Sequence, residues 1–453
     1  MQTGQDKEAG NPGAVASMND FTPSGLELPE LARAHWPSAA RVLSDPGHCW
    51  PRELLEQPAI TRHVGRRQVM LLADPDALQA VLTAREGVFQ RPRLYDRIVG
   101  RQVAEDNLVL ARGPNRERHR RALAPFWHPR RMAAGLAVMN ESAGRLVERW
   151  AAEAPAGPVD AVAGALRVTL TNICHLLFGF GAEDAACMVD VEAVAAEIDS
   201  HARAGAINDI AAALLRLIDR LSLSSPVVAV DDDNPFAALA DTSRSSELSR
   251  AELVHNALLF MTAGHETSAL TLAWALWLLA HDTGAQEALY DEIHAAGVGD
   301  ILTLDDLQRL PGLNAALDET MRLFPTAPII ARQASAQVTL AGTDLEAGDV
   351  ILVCFYALHR HRRLWHAPDT FRARRFLDDE DAISRHRFAF LPFSAGPHIC
   401  VGSSIAVAQM TVALATIVRR FRLAPAHGRQ IPPRFLITLR PQEPVPLLLT
   451  PRD

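Results

Sequence analysis

The longest apolar stretch of the chain lies in its middle, from Leu253 to Ala280. At about 1.5 Å per residue, it is long enough to cross a bilayer. However, its centre carries a His-Glu-Thr triplet at 265–267, and charged groups there are costly in lipid. Ser249 and Glu252 precede the stretch with the spacing of a capping box, which predicts the start of a helix. We therefore predict a long helix buried at the centre of the protein.

Shorter patterns surround this helix. Alternating apolar positions predict a strand at Gln68 to Leu72, and two strands, Val338 to Leu340 and Val350 to Phe355, joined through Gly342 and Gly348. Asp231 to Ser246 is acidic and Ser-rich, which predicts a loop with one short helix. Apolar spacing and turn residues predict further helices within Asp74–Leu221 and at Ala285–Ala295, Leu304–Leu310, Gly312–Leu323 and Gly402–Arg420. The expected fold class is mainly α with small β-sheets.

Composition narrows the possible functions. The net charge of -8 disfavours a nucleic-acid binder. Lys7 is the only lysine, so the chain holds neither a P-loop nor a buried Schiff-base lysine. Five cysteines at wide spacings indicate neither a disulfide framework nor a zinc ribbon, and they favour the reducing cytoplasm. Residues 1–20 lack an apolar core, which predicts a disordered leader before one domain at 21–453, with no membrane anchor.

The sequence FSAGPHICVG, at 393–402, directly precedes the last predicted helix. Backbone N–H groups and the helix N-terminus favour the thiolate form of Cys400. A thiolate ligand makes a haem iron able to cleave O–O bonds. Gly396 and Gly402 would let the loop lie close to a flat macrocycle. Taken alone, the loop is equally compatible with an ordinary buried cysteine.

Three other motifs are ambiguous in isolation. Glu319 and Arg322 are one helical turn apart, which is usual for a solvated pair. The segment 263–267, AGHET, places an acid and an alcohol inside the apolar helix, where they need partners or water. It does not continue as the zinc motif His-Glu-x-x-His. Arg116 and Arg120 share one helix face, which is commonly a solvated surface.

Together, these motifs resemble the cytochrome P-450 family. The cysteine loop matches Phe-x-x-Gly-x-x-x-Cys-x-Gly, and the other motifs match Glu-x-x-Arg and Ala/Gly-Gly-x-Asp/Glu-Thr, in the family's order. The segment 371–376, FRARRF, is similar to Phe-x-Pro-x-Arg-Phe. The resemblance extends from about Asp45 to the C-terminus. His398, Arg116 and Ala373 depart from the family's usual arginine, aromatic or histidine, and proline, which weakens the assignment of propionate contacts.

The resemblance implies a single large fold with haem b between the long central helix and the cysteine-loop helix. Cys400 would bind the iron. Thr267 would hydrogen-bond the oxygen being activated, and Glu266 would relay protons. Glu319, Arg322 and Arg375 would form a buried structural group behind the haem. The remaining cofactor contacts implied are Arg116, Arg120, Arg332 and His398 at the propionates, and Phe393 and Gly402 in the loop.

The resemblance also implies a monooxygenase that inserts one atom of O2 into a small molecule by hydroxylation or epoxidation. The expected substrate-lining residues are all apolar, which favours a hydrophobic substrate. They are Leu259, Phe260, Ala263, Gly264, Ala327, Ile329, Ile330, Leu436 and Ile437. The segment 89–108 is expected to lie over the pocket, where Arg91, Arg93 and Arg97 could meet a carboxylate.

Electrons must come from a separate protein, because the sequence contains no flavin or nicotinamide motif. NAD(P)H, ferredoxin reductase and a ferredoxin are the expected source. A basic face for an acidic partner is one interpretation of four arginines, and a solvated surface is the other. These are Arg118, Arg121, Arg130 and Arg131.

Three other functional classes stay open from the sequence. The first is a haem-thiolate enzyme that consumes peroxide, which the Glu266-Thr267 pair disfavours. The second is a non-catalytic haem sensor, and the third is an unrelated all-α binding protein. Product formation under NAD(P)H plus redox partners distinguishes the monooxygenase from all three.

Overall fold

A computed structural model describes residues 22–23, 50–85, 87–93, 96, 106–179, 185–204, 207–224, 234–240, 246–377 and 385–452. The predicted leader, 1–20, lies outside these ranges. The helices are α1 Pro75–Thr83, α2 Gly113–Leu123, α3 Pro129–Glu153, α4 Ala161–Phe178, α5 Ala185–Ala204, α6 Ile207–Ser224, α7 Ala237–Ala240, α8 Arg250–His281, α9 Thr283–Ala295, α10 Leu304–Gln308, α11 Pro311–Leu323, α12 Phe355–Leu358 and α13 Ser403–Arg420.

Twelve short strands accompany the helices within the described ranges. They are β1 Ala59–Val64, β2 Arg67–Leu72, β3 Phe89–Gln90, β4 Val159–Asp160, β5 Ile329–Ala334, β6 Val338–Leu340, β7 Thr343–Leu345, β8 Val350–Cys354, β9 Phe421–Pro425, β10 Pro433–Phe435, β11 Leu439–Pro441 and β12 Pro446–Pro451. The largest sheet has the order β1-β2-β8-β5-β3, and only its β2–β8 pair is parallel. Strands β4-β12-β9 form a second sheet, and β6-β7 and β10-β11 form hairpins.

The central helix is α8, as the apolar pattern predicts. It begins at Arg250, and both hydrogen bonds of the capping box between Ser249 and Glu252 are present. Most of its residues from Leu253 to Ala280 are buried, because α4, α6, α11 and α13 pack around it. By length and composition, α4 is the described helix that could cross a membrane, and 83% of the qualifying stretch is buried inside the fold.

The strands are less well predicted than the helices. The prediction of two strands joined through Gly342 and Gly348 missed β7, which pairs with β6 across the turn at Gly342. Strand β8 lies in the large sheet, between β2 and β5. Strands of two or three residues are too short to show an alternating pattern. Their existence depends on pairing partners far away in the sequence.

Close approach of α3 and α4 depends on a glycine. A Cβ atom at Gly164 would come within 2.4 Å of the ring of Trp150, which is buried on α3. A Cβ atom added at Gly144, on α3, would have no neighbouring side chain or other element within 4 Å. The two helical glycines therefore differ in packing alone.

We expect Gly164→Ala to destabilise the fold by roughly 1–3 kcal/mol, because the methyl group overpacks the α3–α4 contact. Gly144→Ala is the matched control, and it should stabilise the fold by about 0.5–1 kcal/mol, since alanine is the better helix former. Urea unfolding of both variants measures the difference. Equal midpoints for the two variants would contradict this account of the contact.

Candidate active site

A cavity of about 370 Å³ lies between α8 and the loop that carries Cys400. Its lining is mainly apolar, and it includes Cys400 itself. Residues from α8 form one wall, and the start of α13 forms another. The principal apolar members are Leu108, Trp127, Leu259, Phe260, Ala263, Ala327, Ile330, Ile399, Val401 and Ile405.

Local backbone geometry holds the cysteine loop in place. The N–H of Cys400 donates to the carbonyl of Phe393 over 2.9 Å, which closes the loop. Gly396 has φ +71°, and a Cβ there would lie 2.0 Å from the carbonyl oxygen of Leu82, at the end of α1. Glycine is therefore required at this position by conformation and by packing. A Cβ at Gly402 would also press on the Trp127 ring, at 3.1 Å.

The loop by itself does not make Cys400 a thiolate. Burial raises the pKa of its thiol, and the hydrogen bond from the Gly402 N–H lowers it only in part, so the pKa lies above its usual value. The backbone N–H of Gly402 acts on the pKa in the expected direction, but burial has the larger effect. A cation bound at the sulfur is needed for the thiolate form at neutral pH.

The surroundings of Cys400 fit a flat apolar cofactor. Ile399 and Val401 flank the cysteine and line the cavity, yet they are 46% and 38% exposed. Large apolar side chains on both sides of a metal-binding sulfur leave surface that a macrocycle would cover. The residues present therefore fit a haem with Cys400 as the axial ligand.

A basic rim lies at the cavity beside this loop. Arg116, Arg332 and His398 line the cavity, and both arginines are at most 9% exposed. The guanidinium groups of Arg116 and Arg120 donate to the carbonyl of Pro397, over 2.6 and 3.4 Å. Buried cations of this kind suit carboxylate groups such as haem propionates. Arg120 itself is on the exposed side of α2.

Burial, together with the neighbouring guanidinium groups, lowers the pKa of His398 to about 3. The ring is therefore neutral at pH 7 and retains one N–H to donate. The positive charge of the basic rim therefore comes from its arginines, Arg116, Arg120 and Arg332.

The acid and the alcohol of α8 point in different directions. Thr267 lines the cavity, and its hydroxyl donates to the carbonyl of Ala263 over 2.7 Å. Glu266 does not line the cavity, and its Oε1 accepts from the hydroxyl of Thr438 over 3.2 Å. Adjacent residues on a helix are separated by about 100°. Glu266 and Thr267 are adjacent in the sequence, but their side chains do not lie side by side as expected.

Glu319 is the centre of a buried ionic group. Arg322 donates to both of its oxygens over 2.7 and 2.8 Å, and Arg375 donates to Oε1 over 2.9 Å. All three side chains are at most 1% exposed. Burial alone would raise the pKa of Glu319, but the two guanidinium groups outweigh it and the pKa is lowered.

This group connects to the cysteine loop through His359. Arg322 donates to the carbonyl of His359 over 2.8 Å, and Nε2 of that ring accepts from the N–H of Leu391 over 2.9 Å. Burial and nearby Arg322 lower the pKa of His359 to about 3, so the neutral ring can accept. Leu391 is two residues before Phe393, whose carbonyl receives the Cys400 N–H.

A family model described as Cytochrome P450 matches residues 55–203 and 231–449, which is well over half of the chain. The chain belongs to the cytochrome P450 family.

Three curated relatives match this chain along most of their own length. Cytochrome P450 734A4 from Oryza sativa subsp. japonica is 27% identical over 454 residues, covering 90% of this chain and 84% of the relative. Cytochrome P450 4F12 from Homo sapiens is 26% identical, covering 79% and 76%. Cyclooctatin synthase from Streptomyces melanosporofaciens is 27% identical, covering 83% and 85%.

Membership of the family confirms four of the sequence predictions. The fold is mainly α with small sheets, the enzyme class is monooxygenase, and the cofactor is haem b. The family itself is the fourth. Within the described structure, the residues that line the cavity beside Cys400 fit haem b.

The structure separates the predicted substrate-lining residues into two sets. Leu259, Phe260, Ala263, Gly264, Ala327 and Ile330 line the cavity. Ile329, Leu436 and Ile437 do not, so their placement in the pocket is corrected. Ile329 precedes Ile330 on strand β5, where successive side chains point to opposite faces. Leu436 and Ile437 lie in the β10–β11 turn, and Ile437 is 43% exposed.

The structure describes the side chains of three of the four arginines considered for a basic face. Arg118 is bound to Glu252, and Arg121 to Glu247 over 3.0 Å. Arg131 is buried and donates to the carbonyl of Leu176, and the side chain of Arg130 lies outside what the structure describes. Of the described three, two therefore have intramolecular acidic partners and one is buried.

The segment expected to cover the pocket is partly described. Leu108 and Val109 line the cavity, and Asn256 of α8 accepts the Leu108 N–H over 2.9 Å. Arg91 also lines the cavity and forms an ion pair with Asp96 at 3.2 Å. Arg93 is exposed, and Arg97 lies outside the described residues.

Four residues on one face of α13 line the cavity and were not predicted. Ile405, Ala406, Gln409 and Met410 contribute to the lining next to the predicted Gly402. Their spacing of three and four is that of one helix face. Since the helix was predicted, counting from the cysteine would have found them. Trp127 gave no such signal, because its place in the cavity depends on distant residues, the ring of Phe260 and the backbone at Gly402.

We expect Glu319→Gln to destabilise the protein by about 3–5 kcal/mol, because two buried guanidinium groups lose their common carboxylate. Glu247→Gln removes an exposed pair and should cost less than about 1 kcal/mol. Urea unfolding at pH 7 measures both. The contribution of Glu319 is present above its unfolded pKa of about 4.3 and is lost as the pH falls through the lowered folded pKa. Equal unfolding midpoints for the two variants would refute this role.

Proposed function

We propose that this protein inserts one oxygen atom from O2 into a hydrophobic small molecule, by hydroxylation or epoxidation. The observation that carries the proposal is that the thiol of Cys400 and the hydroxyl of Thr267 line one apolar cavity. A metal-binding sulfur and a proton-donating alcohol are thereby available to one buried reaction site. Electrons would come from NAD(P)H through a ferredoxin reductase and a ferredoxin.

Four described residues would hold the cofactor. Cys400 would bind the iron, and Arg116, Arg332 and His398 would hold the propionates, with Arg120 at the outer edge. Phe393 and Gly402 belong to the loop that would lie against the macrocycle. When bound, a haem with a thiolate ligand supplies O2 activation.

Thr267 would hydrogen-bond the oxygen being activated. Its hydroxyl donates to Ala263 within the helix, and a rotation about χ1 redirects it into the cavity without breaking any backbone hydrogen bond. Glu266, the next residue toward the N-terminus, would deliver protons to that hydroxyl from the solvent side. Positioned proton donors of this kind contribute about 10²–10⁴-fold to a rate.

The lining of the cavity supports an apolar substrate. Leu259, Phe260, Ala263, Ala327 and Ile330 present carbon surface. The charged lining residues are Arg116 and Arg332 of the rim and Arg91, which is paired with Asp96. An uncharged, apolar molecule would gain from burial here at about 25 cal/mol per Å². The pocket therefore favours hydrophobic compounds over charged ones.

We also propose that the protein works in the cytoplasm. The described cysteines at 174, 187, 354 and 400 are all free, which is typical of a reducing compartment. The sequence contains no nicotinamide or flavin motif, so both electrons must be delivered by a partner protein.

The reduced, CO-bound protein is expected to show the strongly red-shifted haem band of a thiolate ligand. Cys400→Ser should lose that band, because the hydroxyl does not replace the thiolate. Cys187→Ala, which removes a buried cysteine elsewhere, should keep it. Absorbance spectra after growth with ample haem precursor test the assignment. A histidine-type band in the parent protein, or no haem at all, would overturn the proposed function.

We expect Thr267→Ala to bind haem normally but to divert reducing equivalents to hydrogen peroxide, since the proton donor in the cavity is lost. The peroxide released per NADPH consumed should rise several-fold, with spinach ferredoxin and its reductase as electron donors. Thr416→Ala, on α13, is the matched control, because its hydroxyl also donates to the carbonyl four residues earlier, over 2.8 Å, but does not line the cavity; it should leave the ratio unchanged. Unchanged peroxide release in Thr267→Ala would exclude the role assigned to this hydroxyl.

A further inference from the structure

A turn at residues 107–111 forms part of the cavity wall. Leu108 and Val109 of this turn line the cavity. The side chain of Asn107 holds the turn together, because its Oδ1 accepts from the N–H groups of Val109 and Leu110, each over 3.0 Å. The turn is therefore stiff within itself, and whether it forms a fixed wall depends on what attaches it to the rest of the fold.

Asn256 attaches this turn to the central helix. Its Oδ1 accepts the N–H of Leu108 over 2.9 Å, and its Nδ2 donates to the carbonyl of Glu252, one helical turn earlier, over 2.7 Å. Asn256 is fully buried, and Leu108 is 7% exposed. A backbone N–H without a partner at such a place is costly, so this hydrogen bond holds Leu108 against α8.

His119 fixes the orientation of the Asn256 amide. Nδ2 of Asn256 lies 3.1 Å from Nδ1 of His119. Because an amide nitrogen only donates, that ring nitrogen must be the acceptor, and the proton of the neutral ring is on Nε2, which lies 3.3 Å from Oε1 of Glu252. Burial lowers the pKa of His119, although Glu252 acts to raise it, and the ring is neutral at pH 7. A flipped amide would place its NH2 group against the N–H of Leu108.

Asn140 makes the same kinds of contact on α3, away from the cavity. Its Oδ1 accepts the N–H of Leu302 over 2.8 Å. Its Nδ2 donates to the carbonyls of Leu136, four residues earlier, and of Leu302, over 2.8 and 2.9 Å. Neither Asn140 nor Leu302 lines the cavity. Both asparagines therefore bind a backbone N–H of a distant segment, and of the two only Asn256 does so at the cavity wall.

We propose that Asn256 is a positioning residue that fixes Leu108 and Val109 as a rigid wall, and that this rigidity makes the site selective for bulky apolar ligands over small ones. The inference rests on the proposed function, in which the cavity takes an apolar substrate beside the haem. A wall that is already ordered does not have to be ordered when a ligand binds, so more of the free energy of burial appears as affinity. A ligand too small to reach the wall gains nothing from it.

The first test compares two nitrogen ligands of a ferric haem, imidazole and 4-phenylimidazole, by their absorbance difference spectra. Asn256→Ser keeps a hydroxyl that can donate to the Glu252 carbonyl, but its shorter side chain does not reach the N–H of Leu108. We expect the dissociation constant of 4-phenylimidazole to rise at least about fivefold and that of imidazole to change less than about twofold, because only the larger ligand must order the wall. The ratio of the two constants is the measured quantity, since a general loss of stability affects both.

Asn140→Ser is the matched control, because it removes the same kind of attachment at a site away from the cavity. Its ratio of dissociation constants should stay within about twofold of the parent ratio, as expected for a distant and independent site. An unchanged ratio in Asn256→Ser, or an equal change in the two serine variants, overturns the proposal.

The second test measures the wall itself, by hydrogen exchange and mass spectrometry of the holoprotein. In Asn256→Ser, peptides that contain Leu108 should exchange at least about tenfold faster than in the parent, because their protecting hydrogen bond is lost. Asn140→Ser should instead accelerate peptides that contain Leu302. The parent alone also decides the matter: if its Leu108 amide exchanges as fast as an unprotected amide, Asn256 does not fix the wall and the proposal fails.

The outcomes separate this inference from the proposed function. If the CO-bound parent lacks the thiolate-type spectrum, the proposed function fails and the ligand selectivity fails with it, while hydrogen exchange still reports whether Asn256 fixes the turn. If the spectrum is of the thiolate type but the ratio of constants does not change in Asn256→Ser, the inference fails and the proposed function stands.

Discussion

The carboxylate of Glu319 is the constraint on which the active site depends. A fully buried charge is tolerated only with excellent partners, and Arg322 and Arg375 supply them. Arg322 also donates to the carbonyl of His359. The ring of His359 accepts the N–H of Leu391, at the start of the cysteine loop. The Glu319–Arg322 pair on α11 is thereby connected, through hydrogen bonds, to the loop that carries the sulfur of Cys400.

The histidine in this connection has to be neutral. Burial is the main reason that the pKa of His359 is lowered to about 3, and the neighbouring arginines add to it. A protonated ring would have no lone pair for Leu391 and would add a third buried positive charge. The position of the cysteine loop therefore depends on an electrostatic balance some distance from the cavity, in which one carboxylate is shared by two guanidinium groups.

Helix geometry gives Glu266 and Thr267 different environments. The 100° rotation between neighbours places Thr267 in the cavity and Glu266 against the hairpin. An acid exposed to the cavity would be a charge in apolar surroundings. Facing the hairpin, the carboxylate lies 3.6 Å from the guanidinium group of Arg440 and accepts from the hydroxyl of Thr438.

The motifs that carry chemistry could be predicted because each is local. The capping box at Ser249, the Glu319–Arg322 spacing and the glycines around Cys400 all act through residues within a few positions of each other. For the same reason α8, α9, α11 and α13 were predicted close to their actual bounds, whereas the helices between Asp74 and Leu221 were predicted only as a group. The rim arginines were predicted from the resemblance to the family, but no local pattern indicated that Arg120 would be exposed while Arg116 is buried.

What only the tertiary structure decided are the contacts between distant segments. Each of these contacts joins residues that are far apart in the chain. They include the pairing of β8 with β2 and β5, the ion pairs of Arg118 and Arg121, the ion pair of Glu266 with Arg440 and the place of Trp127 in the cavity. The sequence by itself determined the helices, the cysteine loop and the family, because short-range hydrogen bonding and helix periodicity are written in neighbouring residues. The directions of side chains toward remote partners follow from packing, which no local pattern encodes.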